Sequence, residues 1–573
     1  MMKKQDKYAW LLAILCVASL FLFLGEALFN TRGEPREAVV ALSMLQDGNW
    51  VLPVNNGVDM AYKPPLFHWC IALFSTIAGG VSEYTSRMPS AVSLALMVLA
   101  GYGFYARRRG SELAFLMGLI TLTNFEVHRA GTNCRVDMLL AALMVMALYQ
   151  LYRWGEKGLK GVPWLGILCL SGAFLTKGPV GMALPCLVTA VFLWIRGMHF
   201  GRIFLSFLGI GLASCVLPLV WYVAAYQQGG EEFLQLVLEE NVLRLLGKMS
   251  YSSHENPAYY NVITVVAGYA PYTLLVLLSL FFLKYHKVSG KLSGWWNRFR
   301  TYIREMDDVR LFSLLSIVLI FVFYCIPKSK RSVYLLPIYP FLAYFLAEYL
   351  LYLNRNRTQV VKIFGSVMAG LSSLLLLVFF ALRMGWVPDT IFSGRHAAQN
   401  VAFLHALEEL PLGLVSWILL AAMIAAIGWF FSSLKKDVSA SGLPYSVIGV
   451  IFTVFLGLDG LFQPAVLNVK SDKPVAERIE GIVPEGKIYS YRTDITPGNR
   501  MHPFTINFYL GDRVMPFDVF EPEKGFLIVG NSEIEDFERA YPDYQVEEIF
   551  DSGHRSCDDH KILHFYRFWK HGE

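Results

Sequence analysis

Apolar stretches as long as a bilayer is thick recur along this chain, and short charged clusters separate them. That pattern restricts the fold more than any single motif. A segment crossing a membrane as a helix needs roughly 20 apolar residues, because every backbone N–H and C=O must be satisfied within the segment. The first such run covers 8–29, and others follow at 84–106, 111–127, 136–153, 162–177, 179–196, 203–226, 260–284, 310–327, 332–353, 361–383, 412–433 and 444–463. The reading is an α-helical polytopic membrane protein with about thirteen transmembrane helices. The run 65–80 is apolar but short and ends in Gly79-Gly80, which favours a re-entrant or interfacial helix. The run after Lys7 is of full bilayer width with no small-residue cleavage site behind it, so it is expected to stay as the first helix.

Composition agrees. Of 573 residues, 55% are hydrophobic and only 17% charged, and the net charge is +5. The basic residues lie between the apolar runs, as topology signals do. They do not form a nucleic-acid footprint. The eight cysteines are scattered, with no CxxC and no Cys/His ligand spacing, so no metal site is expected.

Threading the spans alternately gathers most cations on one side: Lys3-Lys4, Arg107-Arg108-Arg109, Arg196, Arg202, the 284–310 loop and Lys435-Lys436. That side is expected to be cytoplasmic. The opposite side receives the 30–83 loop, the 227–259 loop, the 384–411 segment and the polar C-terminal stretch. Residues 1–463 are read as the membrane domain. In 464–573, alternating runs such as 487–491 and 525–529, with helical stretches Val475–Ile482 and Ser532–Ala540 between, indicate a small α/β extracytoplasmic domain.

Basic residues on the outer side run against the positive-inside bias, so they and the carboxylates that accompany them are the candidate functional groups. Glu34 precedes Pro35 and the amphipathic run 36–45, and sits at the positive end of a helix dipole. Lys63, in Tyr-Lys-Pro-Pro, is an ammonium on a rigid backbone at the bilayer surface. Asp137 opens a span, which costs free energy unless it is paired or solvated. Lys177 lies at the tip of a tight hairpin. In the large loop, Arg244 offers a fork matched to phosphate oxygens, and His254 is a candidate substrate contact without metal-ligand spacing. Lys330 and Arg331 precede Tyr334 and call for an anionic lipid ligand.

The ordered set Gly33-Glu34-Pro35-Arg36-Glu37-Ala38, Gly48-Asn49-Trp50, Lys63-Pro64-Pro65, Val136-Asp137-Met138, Thr176-Lys177-Gly178-Pro179, Asn241-Val242-Leu243-Arg244, His254-Glu255-Asn256-Pro257 and Lys328–Tyr334 resembles the aminoarabinose-transferase branch of the protein-mannosyltransferase-like glycosyltransferases. The resemblance spans about residues 8–463. It implies the GT-C fold and an inverting glycosyltransferase. The donor would be a sugar on a polyprenyl (undecaprenyl) phosphate carrier, and the acceptor lipid A or a related envelope molecule at the periplasmic face of the bacterial inner membrane. No cofactor is implied. Lys63, Arg244, Tyr334 and Arg36 fall on the family's carrier-phosphate contacts. The family's first-loop Asp-Glu pair is Gly33-Glu34 here, which leaves Glu34 as the expected principal carboxylate with Asp137 in support. The acid that often precedes the Lys-Pro is Tyr62. Two other readings fit the same topology: protein O-mannosyl transfer, and transport or flipping of a lipid-linked sugar.

Overall fold

The computed structural model describes residues 4–243, 248, 255–257, 259–283, 292–394, 396–435, 442–492, 495–496, 499–500 and 503–571. Arg244 and His254 lie outside the described residues. Among the described residues, eight helices are long and apolar enough to cross a membrane, or nine if a bent pair counts as one span. Five further apolar helices are only 10–17 residues long, so thirteen full-length spans are not established.

The chain enters as α1 (Lys4–Leu20), continues through α2 (Gly33–Asp47), and makes a two-stranded hairpin of β1 (Val54–Asn55) and β2 (Asp59–Met60). Next comes α3 (Leu66–Ala78), whose 13 residues rise only about 20 Å, too short for a hydrocarbon core of about 30 Å. It ends where Gly79 takes a left-handed φ of 90°.

The long α4 (Glu83–Arg109) starts in a capping box between Ser82 and Thr85 and closes on Arg107-Arg108-Arg109 at its negative end. It packs on α5 (Ser111–Leu122) and, past the short α6 (Phe125–Gly131), on α7 (Val136–Glu156). The helices α8 (Trp164–Lys177) and α9 (Val180–Ile195) form a tight pair, turning at Gly178 with φ 93°. The 39-residue α10 (Phe200–Leu238) breaks at Gly230 and runs into a π-helical turn, Glu239–Leu243. The run 260–284, read as one span, is instead two helices, Tyr260–Gly268 and Tyr272–Leu280, at 102° to each other. Pro271 lies in the break, where it can supply no backbone N–H to continue the first helix. The remaining bundle comprises helices Asp308–Cys325, Tyr339–Asn356, Thr358–Arg383, Leu414–Lys435 and Leu443–Gly457.

The C-terminal unit is a five-stranded sheet in the order β6-β3-β7-β9-β8: β3 (Ile488–Tyr491), β6 (Val514–Pro516), β7 (Lys524–Gly530), β8 (Tyr544–Arg555) and β9 (Ile562–Lys570). A separate short ladder joins β4 (Ile495–Thr496) to β5 (Asn499–Arg500). Strand β3 runs parallel to β6 and β7, and β9 is antiparallel to β7 and β8. Both faces of the sheet are packed. Ile488, Val514, Ile528 and Phe565 share one cluster with Ile506, while Leu527, Val529 and Phe568 share another with Phe517 and Phe537. The helix Phe504–Tyr509 of this unit packs against α2, so the sheet sits beside the first interhelical loop.

Candidate active site

The site forms where α2, the residues before α3, the start of α7, the end of α8 and the segment before Tyr339 meet. Helix periodicity decides what α2 contributes. Glu34 and Glu37 are three residues apart on one side of α2, and Arg36, 41% exposed, reaches back to Glu37.

Glu34 is committed to the fold. Arg87 Nε donates to its Oε1 at 2.8 Å and Nη2 to its Oε2 at 3.0 Å, and the Cys134 backbone N–H donates to Oε1 at 2.8 Å. Both side chains are almost fully buried. Arg87 also donates to the carbonyls of Leu24 and Ala27, at 2.9 and 2.6 Å. This bidentate pair ties α2, α4 and the 24–27 turn together. Burial would raise the Glu34 pKa, but Arg87 and the Cys134 hydrogen bond lower it below the usual carboxylate value. A proton acceptor with every near donor already in place is poorly suited to take a proton from a substrate.

Glu37 is the carboxylate of the cation cluster, a role that its place in the first-loop motif does not reveal. Its Oε1 accepts from Arg36 at 2.9 Å and Lys63 at 3.4 Å, and its Oε2 lies 2.9 Å from His68 Nε2. Burial opposes its ionisation, yet Lys63, Arg36 and His68 together hold its pKa well below the ordinary value. His68 is buried, with Nδ1 unpartnered. Lys63 keeps 37% of its side chain exposed, and Pro64-Pro65 fix the chain behind it. Burial, and then the charge of Arg36, lower the Lys63 pKa. Tyr62 donates to Glu240 at 3.4 Å, so the π-helical turn closes on the same cluster.

Asp137, in the first turn of α7, pairs with Lys177 at the end of α8. Lys177 Nζ also lies 4.3 Å from the Tyr334 ring centre, a cation–π contact. Lys177 is close enough for its charge to act on Lys63, and Arg331 acts on Asp137 in the same way. Lys330 does not join this group. It is buried, and its Nζ donates to the carbonyls of Asn256 at 3.1 Å and Pro327 at 2.5 Å.

The structure therefore brings Arg36, Lys63, Asp137, Lys177, Arg331 and Tyr334 together and sets Glu34 and Lys330 aside as framework. The signals that might have found Glu37 and His68 were spacing alone. Glu37 is one turn after Glu34, and His68 is the first polar residue after Lys63-Pro-Pro.

Comparison with known proteins gives the fold and the sequences this chain resembles. The structure superposes on ArnT from Cupriavidus metallidurans bound to undecaprenyl phosphate with a TM-score of 0.68, covering 98% of each chain at 19% identity. This is the GT-C fold. Residues 62–222 match the family model for dolichyl-phosphate-mannose-protein mannosyltransferase. An undecaprenyl phosphate-aminoarabinose arabinosyl transferase of Proteus mirabilis is 27% identical over 349 residues, 60% of this chain and 59% of that protein. One from Shewanella sediminis is 26% identical over 62% of each chain. An uncharacterized Aquifex aeolicus protein is 26% identical over 67% of this chain and 70% of its own. The chain thus spans about three fifths of the two named transferases. It has the fold of ArnT from Cupriavidus metallidurans and is similar in sequence to undecaprenyl phosphate-aminoarabinose arabinosyl transferases.

Two outcomes follow from this geometry. Glu34→Gln removes the charge that balances buried Arg87, and breaking such a pair costs about 3 kcal/mol. Thermal unfolding in detergent should show a lowered Tm. A parental Tm would contradict the framework role. Second, because the Lys63 pKa is lowered, its ammonium is lost at a lower pH than that of a free lysine. Labelling of Lys63 by an amine-reactive reagent, read by mass spectrometry against pH, should therefore set in at a lower pH than labelling of a free lysine, and an onset no lower would contradict the lowered value.

Proposed function

We propose that this chain transfers a sugar from a polyprenyl phosphate carrier to an envelope acceptor of the lipid A type, at the periplasmic face of the bacterial inner membrane. The observation that carries the reading is the convergence of Arg36, Lys63, Lys177 and Tyr334 from four separate segments at one end of the helices. Several cations near the ends of membrane helices are costly without an anion to neutralise them. A lipid phosphate supplies that anion at the right depth. Relatives named as undecaprenyl phosphate-aminoarabinose transferases support the same donor class. Arg244, which lies outside the described residues, belongs to the proposal as a further phosphate contact.

In the reaction, an acceptor oxygen attacks the anomeric carbon as the bond from that carbon to the carrier phosphate oxygen breaks. Polyprenyl phosphate leaves, and its growing negative charge is met by Lys63 and Arg36. Glu37 keeps those two cations in position. Lys177, held by Asp137 and the Tyr334 ring, adds positive charge from the facing helix ends.

The carboxylates favour one kind of acceptor. Glu34, Glu37 and Asp137 each already sit in an ion pair. A hydroxyl acceptor needs a base to take its proton, whereas a phosphate acceptor is already an anion. The preferred acceptor therefore carries a phosphate group, and hydroxyl transfer of the protein-mannosylation kind is disfavoured.

Purified protein given a polyprenyl-phosphate sugar and a phosphorylated glycolipid should release polyprenyl phosphate and form the glycosylated lipid. Each charged hydrogen bond to phosphate contributes about 1.5–3 kcal/mol, so Lys63→Ala should cut turnover roughly ten-fold or more at limiting carrier. Equal turnover by parent and variant would remove Lys63 from the donor site, and a dephosphorylated acceptor used equally well would remove the acceptor preference. Sidedness has its own check: alkaline phosphatase fused after Glu573 should be active, and an inactive fusion would place the site on the cytoplasmic face.

A further inference from the structure

We propose that Asp512, in the C-terminal unit, is a positioning residue for the Arg36–Glu37–Lys63 cluster, so that the sheet domain is a working part of the active site. This rests on the transferase reading above.

One carboxylate clamps both segments that build the cluster. Asp512 Oδ2 accepts from Ser43 Oγ at 2.8 Å, and Ser43 lies on α2, two turns beyond Glu37. Asp512 Oδ1 accepts from the Asn56 backbone N–H at 2.9 Å, at the tip of the hairpin that leads to Lys63. The same Oδ1 accepts from Asn507 Nδ2 at 2.7 Å, and Asn507 Nδ2 also reaches Asn56 Oδ1 at 2.5 Å. Asn507 Oδ1 accepts the Val514 N–H at 2.8 Å, which fixes the amide's orientation.

The clamp is built from backbone that ordinary residues seldom adopt. Asn56 has φ 49° and Asp512 φ 60°, and the two face each other across the interface. Left-handed non-glycine residues persist where the surroundings over-determine them. The neighbouring Gly57, with φ 75°, shows why the tip is seated deeply. A Cβ there would collide with Met515 and touch the Phe520 ring. Asn56 and Asn507 are fully buried. The hairpin tip is therefore inserted into the C-terminal unit and held at its base by the carboxylate.

The consequence for the site is geometric. Arg36 and Glu37 ride on α2, and Lys63 follows the hairpin by three residues. The 3.4 Å contact between Lys63 and Glu37 depends on the separation of those two segments. A carboxylate that accepts from both sets that separation. Loosening it shifts Lys63 relative to Arg36, and misplacement of about 1 Å can cost on the order of a hundred-fold in rate.

The groups facing Asp512 define its pH response. Asp47 faces it from α2 with like charge, and Ser43, Asn56 and Asn507 present neutral donors. Burial raises its pKa, and Asp47 adds to that rise, against the three hydrogen bonds. As pH falls through the raised value, the carboxyl gains a proton, one oxygen turns from acceptor to donor, and the clamp weakens. Glu37 titrates lower, so between the clamp and the cluster it holds, Asp512 is the first to gain a proton as pH falls.

The test uses the full-length protein in lipid nanodiscs. Asp512→Asn keeps the shape but replaces one acceptor oxygen by a donor. Turnover per folded enzyme should fall roughly ten- to a hundred-fold, and the acid limb of the parental pH profile should shift. Binding of polyprenyl phosphate, measured without any sugar, should weaken in parallel. Ser43→Ala removes one donor from the α2 side and should give a smaller loss in the same direction. It carries the test if Asp512→Asn does not fold. Arg539→Ala, in an exposed ion pair of the same unit, should behave as the parent. Parental turnover and an unchanged acid limb in the folded variants would reduce Asp512 to an ordinary interface contact. A parent that binds polyprenyl phosphate but transfers no sugar would overturn the transferase reading and leave the clamp to be judged by binding alone.

Discussion

The site depends on one carboxylate. Glu37 is buried at the end of the bundle and holds Arg36, Lys63 and His68 on its two oxygens. Desolvating a carboxylate costs several kcal/mol, and its partners offset this only when the geometry is good and the remaining lone pairs are filled. Three donors meet that condition. They also explain why two cations can stand beside each other without being driven apart. Lys63 and Arg36 repel, and Glu37 between them turns that repulsion into a fixed spacing. An anion of tetrahedral shape can then be met by both from one side.

A second carboxylate, one turn earlier, has a different task. Glu34 and Arg87 form a bidentate pair sealed from solvent, and Arg87 also caps two carbonyls of the 24–27 turn. The pair fixes the start of α2 against α4, and so fixes where Glu37 emerges. The sequence places both acids correctly in the first loop and names Glu34 as the principal one. It could not tell them apart, because the partner that decides, Arg87, lies 53 positions away inside a predicted span. Local dipole arguments applied equally to both.

What was legible followed from short-range physics. Apolar run length located the bundle helices, and the shortness of 65–80 was visible before α3 was seen. Period-two alternation marked β3 and β7, and the helices before β3 and after β7 fell within two residues of their expected bounds. The break at 269–271 was missed because hydropathy does not register a bend, although Pro271 stood in the run. The contacts of Asp512 with Ser43 and Asn56 were beyond reach, with sequence separations of 469 and 456. No local pattern encodes which loop a distant domain will grip.

Those distant contacts change what the C-terminal unit is for. If it were only an appended domain, its interface with the membrane part would be free to slide. Instead its polar contacts fall on the segments that matter. Asn468 holds the backbone of Leu28, Ser471 that of Phe29, Tyr509 reaches Glu83, and Asp512 grips α2 and the hairpin. All of these surround the helix and loop that carry Arg36, Glu37 and Lys63, and buried polar contacts of this kind specify one arrangement more strictly than apolar ones. A chain whose site carboxylates are already spent on ion pairs must rely on the spacing of its cations to do chemistry. On the proposed reading, that spacing is what the C-terminal unit maintains, and the acceptor brings the negative charge that the protein does not generate.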